Sequence, residues 1–382
     1  MANATLNPTN PVVKALNREN SDRIWNLSAG PGCLPEDVLK QIQGDIWNVM
    51  GSGVGILEHS HRGKVIDEIF ARTHDLVREV LSVPSGYTVM FGTGGASTQA
   101  HMIPMNFMPK GGVADYFVTG LWAQKAYKQA KYIGKPHVCA TSEDKKHSYI
   151  PSPSETNYSE NPAYVHFTSN NTVAGTQFAK NAEPTAPAGV PLICDMSSDI
   201  ASRTCDISKY DMIYAGAQKN LGPAGTTLVI IRDEFMAKEN NELPDLLRYS
   251  ATADQLSRWN TPPVFPIYVV GLVLQWYKDQ GGVAAMEKRN NAKAKVIYDV
   301  LDAGFYLPHA RKDSRSMMNI TFNLPSPEIE KRFFEEATAH GFSAIEGHRS
   351  VGGVRASIYN SFPAEGCDAF AQFLREFAKR NG

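Results

Sequence analysis

Apolar and polar positions along the first third of the chain alternate at helical spacing. They predict one helix opening at Pro35-Glu36-Asp37 and another over residues 64–81, with Gly51-Ser52-Gly53-Val54-Gly55 as the loop between them. Tyr87-Thr88-Val89-Met90-Phe91 reads as a strand, and the turn Gly92-Thr93-Gly94-Gly95-Ala96 leads into a helix beginning near Ser97. Residues 115–118 read as strand, 122–132 as helix and 164–167 as strand. Two short apolar runs follow, Val190-Pro191-Leu192-Ile193-Cys194-Asp195 and Met212-Ile213-Tyr214-Ala215-Gly216, and the run 226–231 is expected to return antiparallel or at an edge. This alternation predicts a large, mainly parallel α/β domain over residues 34–265, preceded by an N-terminal arm at 1–33.

Asn260-Thr261-Pro262-Pro263 interrupts the pattern. Beyond it the spacing predicts a long connecting helix from about Pro266 through a Gly281-Gly282 turn and Arg289 to Leu301, which opens a smaller α+β domain over 266–382. That domain has strands at 317–322 and 354–359 and helices at 327–340 and 364–380, the first of them capped by Ser326.

Composition narrows the function classes. The 382 residues exceed the usual size of one core, and 38 basic against 39 acidic residues leave a formal charge of -1 with no long run of either sign, which argues against nucleic acid as a partner. No stretch has the length of a membrane span, so no membrane association is expected. The five cysteines, Cys33, Cys139, Cys194, Cys205 and Cys367, show neither CxxC nor zinc spacing and fit reduced packing thiols in the cytoplasm. The polar leader through about Asn20, with Lys14 and Arg18, reads as a flexible arm; an organelle-targeting segment is the alternative.

Lys219 stands out against this background. It follows the apolar run ending at Gly216 and opens the turn Asn220-Leu221-Gly222-Pro223-Ala224-Gly225, where a solvated surface charge is not expected. Asp195 ends the other apolar run. In a parallel sheet both residues would sit at carboxyl ends of strands, where ligands bind, and together they suit pyridoxal phosphate: the amine for a Schiff base and proton shuttling, the carboxylate to keep the pyridine nitrogen protonated. A helix-capping aspartate and a snorkelling lysine are the plainer reading of the same two residues.

With Asn26-Leu27-Ser28-Ala29-Gly30-Pro31, Ser60-His61-Arg62-Gly63-Lys64, Tyr214-Ala215-Gly216-Ala217-Gln218-Lys219-Asn220, Asn260-Thr261-Pro262-Pro263 and the block from Gly347-His348-Arg349 to Arg355-Ala356-Ser357-Ile358-Tyr359-Asn360, the chain resembles the class V, fold-type I pyridoxal-phosphate aminotransferases. Within them it is similar to the phosphoserine aminotransferase family, from about Trp25 to the C-terminus. The resemblance implies that Lys219 carries the cofactor, Asp195 holds its ring nitrogen, Trp122 stacks on its face and Thr172 bonds its phenolic oxygen. It further implies that Gln218 and the Ala96 and Ser97 amides cradle the phosphate, with Asn260 and Thr261 completing the cup from the second subunit of a homodimer with a shared active site. Taken one by one, Trp122 as a core aromatic, Thr172 as a turn cap and Asn260-Thr261 as plain loop are the ordinary readings.

Three arginines and two histidines in two of these blocks suit a substrate carrying both carboxylate and phosphate, because guanidinium groups grip both in a fork. By resemblance, Arg355 takes the α-carboxylate, while His61, Arg62, His348 and Arg349 take the phosphate; loop residues that are solvated or paired with Glu58 and Glu346 are the alternative. The implied reaction is reversible amino transfer from L-glutamate to 3-phosphohydroxypyruvate, giving O-phospho-L-serine and 2-oxoglutarate in serine biosynthesis by a ping-pong route through pyridoxamine phosphate. Ser97 and Ala29 depart from some relatives, which carry arginine and serine there. Rival readings are an alanine–glyoxylate aminotransferase, a cysteine desulfurase using Cys367, or a non-catalytic phosphate-binding module.

Overall fold

Seven strands form the main sheet of the computed structural model, which describes residues 23–382. In chain order they are β1 (Tyr87–Thr93), β2 (Val113–Val118), β3 (Lys135–Thr141), β4 (Val165–Thr168), β5 (Leu192–Asp195), β6 (Met212–Gly216) and β7 (Thr226–Arg232). Across the sheet the order is β1-β7-β6-β5-β4-β2-β3. Only β7 runs antiparallel to its neighbours β6 and β1, so the run expected to return antiparallel or at an edge is antiparallel and lies inside the sheet. Every residue of β4, β5 and β6 is buried, because both faces are covered by helices.

Those covers come from amphipathic helices on either side. Against one face pack α1 (Glu36–Asp45), α2 (Lys64–Leu81) and, from later in the chain, residues 267–277; against the other pack α3 (Ala96–Phe107) and α4 (Leu121–Ala130). Strand β3 carries no signal in the hydrophobic pattern, since Lys135, Pro136 and His137 open it. Proline at the start of an edge strand is tolerated because no inner ladder bond is lost there.

The predicted long connecting helix is two helices, α5 (Val264–Asp279) and α6 (Gly282–Leu301). They break at Gly281, whose φ of 92° is left-handed backbone that only glycine adopts freely. The first half of α6 packs with the large sheet through Met286, whereas Ala294, Ile297 and Leu301 join a second core. That core lies between a small antiparallel sheet, β8 (Leu307–Pro308), β9 (Asn319–Asn323) and β10 (Val354–Ser357), and the helices α7 (Pro327–Ala339) and α8 (Ala364–Asn381).

Of the arm expected over residues 1–33, residues 1–22 lie outside the described residues. Trp25 and Asn26 pair in parallel with Phe342 and Ser343, and Leu27 is buried in the second core. Among the described residues no helix is long and apolar enough to cross a membrane.

Candidate active site

Four of the parallel strands deliver a site residue just beyond their carboxyl ends. Asp195 ends β5, Lys219 follows β6, Thr172 follows β4 and Trp122 follows β2, while β1 runs through Gly94 and Gly95 into the N-terminus of α3. Parallel pairing aligns these ends along one edge of the sheet, so residues up to about a hundred apart in sequence face one cleft.

Lys219 is held by a tight turn. Ala217 N donates to Thr226 O at 3.0 Å, Gly222 N to Ala217 O at 2.8 Å, and Gly225 takes a left-handed φ of 122°. The lysine is 9% exposed and its Nζ donates to Thr172 Oγ1 at 2.7 Å. Burial lowers the amine to about 8; the negative charge of Asp195 works against that shift, and Arg355 adds to it. The loop of residues 29–32 closes over the same side chain. A Cβ on Gly32 would come within 2.7 Å of Tyr359 Cδ2 and 3.0 Å of the Lys219 carbonyl oxygen, so no larger residue fits there without displacement.

Asp195 is buried, and burial raises its carboxyl above the usual range. Ser197 opposes this with two donations to Oδ1, from its backbone N at 2.9 Å and its Oγ at 2.6 Å. Charge-assisted bonds of this kind favour the ionised form. Trp122 is half-buried, not a core aromatic. Its ring centroid lies 5.9 Å from Lys219 Nζ, and its Nε1 is buried with no partner. Gln218 folds back over Gly216, where a Cβ would meet its Oε1 at 2.6 Å. Ala96 and Ser97 open α3, so their amides have no acceptor within the helix.

Arg355, on β10, brings the small domain to this cleft. Its Nε is buried without a partner, and no carboxylate among the described residues pairs with its guanidinium. His348 lies close enough to Arg355, Arg349 and Lys125 that burial first, and those charges next, push its imidazole below the ordinary value. Lys125 was not singled out from the sequence; its amine stands 4.2 Å over the Trp122 ring, one helical turn on.

The other two blocks sit together at the surface. Arg258 pairs with Asp67 and donates to the His61 carbonyl at 3.4 Å, tying the loop of His61 and Arg62 to that of Asn260 and Thr261. Arg62, Asn260 and Thr261 are exposed and His61 is half-buried. No hydrogen bond among the described residues joins these four side chains to Lys219. Leu57 lies four residues before His61, Leu256 and Trp259 lie just before Asn260, and Trp47 at 86% exposure and Met50 lie earlier in the chain; all five are exposed apolar side chains.

Sequence reading missed Ser197, Tyr214, His166 and Tyr359. Ser197 had a signal, since an aspartate two residues before a serine commonly accepts that serine's N–H. Tyr359, whose hydroxyl donates to the Ala29 carbonyl at 2.7 Å, had none, because its partner lies 330 positions away. Cys367 is buried in the first turn of α8 and burial pushes its thiol up to about 12, the opposite of a mobile loop nucleophile.

The family described as Aminotransferase class-V matches residues 24–370. A phosphoserine aminotransferase of Herpetosiphon aurantiacus is 49% identical over 361 residues, which covers 94% of this chain and 99% of that protein. The solved phosphoserine aminotransferase from Bacillus circulans subsp. alkalophilus superposes with a TM-score of 0.91 at 46% identity, covering 95% of this chain and 100% of the other. A PLP-bound phosphoserine aminotransferase from Trichomonas vaginalis superposes with a TM-score of 0.87 at 32% identity, covering 92% and 100%.

Proposed function

This chain belongs to the class-V aminotransferases, and we propose that within them it carries out the phosphoserine aminotransferase reaction, exchanging the amino group of L-glutamate and the keto group of 3-phosphohydroxypyruvate in serine biosynthesis. The observation that carries the reading is the buried pair Lys219 and Asp195 at the strand ends, one with a depressed amine and the other with a carboxylate supported by Ser197. Pyridoxal phosphate is the cofactor, and the residues present fit it. Trp122 offers a flat wall with an unpartnered indole N–H, Asp195 an anionic base, Thr172 a hydroxyl already bonded to the amine, and the start of α3 free amides for a phosphate. When bound, the cofactor supplies the electron sink that makes the substrate's α-proton acidic.

The chain's own residues do the rest. Lys219, with its amine near 8, takes and returns a proton at the substrate α-carbon, because it releases a proton far more readily than a solvated lysine. Asp195 keeps the ring nitrogen charged, and Gln218 joins the Ala96 and Ser97 amides at the cofactor phosphate. Arg355, without a carboxylate of its own, takes the substrate α-carboxylate in a fork. His348 and Arg349 face the substrate phosphate, and His61 and Arg62 reach it from a second copy of the chain, with Asn260 and Thr261. The exposed apolar side chains Trp47 and Leu57 support such a homodimer, since burying them against a second copy removes them from water. The five free thiols suit the cytoplasm.

Phosphoserine, serine, alanine and cysteine titrated separately against the cofactor-loaded protein test the reading. Phosphoserine should discharge the visible band of the lysine-bound cofactor at concentrations at least about 100-fold below the others, the scale set by losing two or more charge-assisted bonds. Equal discharge by alanine would overturn the substrate assignment.

A further inference from the structure

Beneath Asp195 the sheet carries a row of buried polar side chains that the reaction does not touch. In register, Tyr214 on β6 stands opposite Asp195 on β5, and Thr168, opposite Asp195 on the other side, lies two residues beyond His166 on β4. Alternate residues of a strand share a face, so His166, Tyr214 and Asp195 occupy the same side of the sheet. His166 is 1% exposed and Tyr214 is 2% exposed. The His166 Nε2 and the Tyr214 hydroxyl are 2.9 Å apart, and Tyr214, the register partner of Asp195, favours the charged form of that carboxyl. The neighbouring Tyr116, whose ring centroid is 5.2 Å from that of His166, spends its own hydroxyl on Tyr164.

The direction of these bonds follows from counting protons. An ionised carboxylate only accepts, so a tyrosine paired with it across the strands turns its proton toward Asp195 and leaves its oxygen to accept from the histidine. A neutral imidazole has one N–H, and here it must be on Nε2. His166 Nδ1 is then a bare lone pair, and it is the ring nitrogen that has no partner. The opposite arrangement would bury an unpaired Nδ1–H and turn a tyrosine lone pair toward the carboxylate. Burial keeps the ring neutral by pushing its imidazole down to about 3.

We propose that His166 and Tyr214 form a one-way donor chain, from His166 Nε2–H to the Tyr214 hydroxyl to the Asp195 carboxylate, that holds Asp195 as the anionic partner of the cofactor's ring nitrogen. The proposal rests on the reading of Asp195 given above. Both are positioning residues, since neither touches cofactor or substrate. Of the groups that favour the charged form of Asp195, Lys219 is the one whose charge the reaction consumes, so Ser197 and Tyr214 are the constant ones.

Nitrogen-15 NMR of the histidine-labelled holoenzyme tests the direction on the unaltered protein. His166, assigned by its loss in His166→Gln, should stay neutral with its proton on Nε2 from pH 5.5 to 9. Tyr214→Phe and His166→Leu should move the pH midpoint of the lysine-bound cofactor's visible band upward by up to about one pH unit, as expected for losing one bond to a charged group. Both should lower kcat with little change in KM for phosphoserine, while His166→Gln, whose amide N–H replaces Nε2–H, should restore the midpoint. A proton on Nδ1, or a wild-type midpoint in folded Tyr214→Phe, overturns the chain. A holoenzyme that passes these tests but prefers alanine to phosphoserine would overturn the substrate reading alone.

Discussion

The Lys219 amine is set by a balance between desolvation and the charge of Asp195, with desolvation the stronger. A lysine depressed in this way titrates near 8 in the cofactor-free protein, whereas the same side chain in water titrates near its ordinary 10.5. The free amine is the nucleophile, so the rate at which the cofactor-free protein captures pyridoxal phosphate should climb with pH and level off above about 8. Stopped-flow absorbance over pH 6–11 checks this; a rate still rising tenfold per unit at pH 9 would mean an amine in water. At this scale the sequence was legible for Lys219 and Asp195, because charged groups at the ends of apolar runs violate the ordinary pattern. It was silent on His166 and Tyr359, since a polar residue inside a strand looks the same whether its partner is water, a backbone group or another side chain.

Lys293 shows what an element contributes without chemistry of its own. It lies on α6 and is 2% exposed, and it donates to the carbonyls of Ile358, Tyr359 and Phe362 at 3.0, 2.8 and 3.0 Å. It thereby fastens the turn that follows β10, where Asn360 N also reaches Asn220 Oδ1 at 3.0 Å, one residue past Lys219. The end of the small sheet and the Lys219 turn are joined at this point. Lys293→Met would strand three carbonyls, and we expect a loss of about 2–3 kcal/mol of unfolding free energy, read from urea denaturation. Burial lowers this amine also, to about 8, with Cys367 and Cys33 pulling upward and Arg289 downward. Because the folded value lies below the unfolded one, the net contribution of Lys293 is largest above about 10.5, where the amine keeps two of its three donations and buries no charge, and fades as pH falls through 8. The cost of the substitution should therefore be larger at pH 10 than at pH 7. An equal or smaller cost at pH 10 would contradict that account. Periodicity revealed the apolar faces of α5 and α6, and Gly281-Gly282 marked the turn between them; the backbone adds that this turn, with its left-handed φ at Gly281, divides them into two separate helices.

At the scale of the molecule the two exposed blocks carry the strongest consequence. His61, Arg62, Asn260 and Thr261 sit on two loops tied by Arg258 yet stay at or near the surface. If they complete a partner's cleft, each active site draws its lysine from one subunit and His61 and Arg62 from the other. Lys219→Ala and an Arg62→Ala, His61→Ala double variant should each be nearly inactive alone. After mixing and refolding, about a quarter of all sites should recover, because half the dimers are mixed and one of their two sites carries neither defect. A mixture no more active than its components would place every ligand of a site on one subunit.

The sequence by itself determined the α/β class, most strand and helix positions, the lysine and aspartate at the strand ends, and the family. Each of these depends on local periodicity or on short motifs, which a chain carries whether folded or not. Tertiary structure alone decided that β7 lies inside the sheet, that Arg355 reaches the cleft without a carboxylate partner, and that His166 and Tyr214 stand in line behind Asp195. Strand order and register set those distances, and they arise from how buried faces pack across residues far apart in the chain.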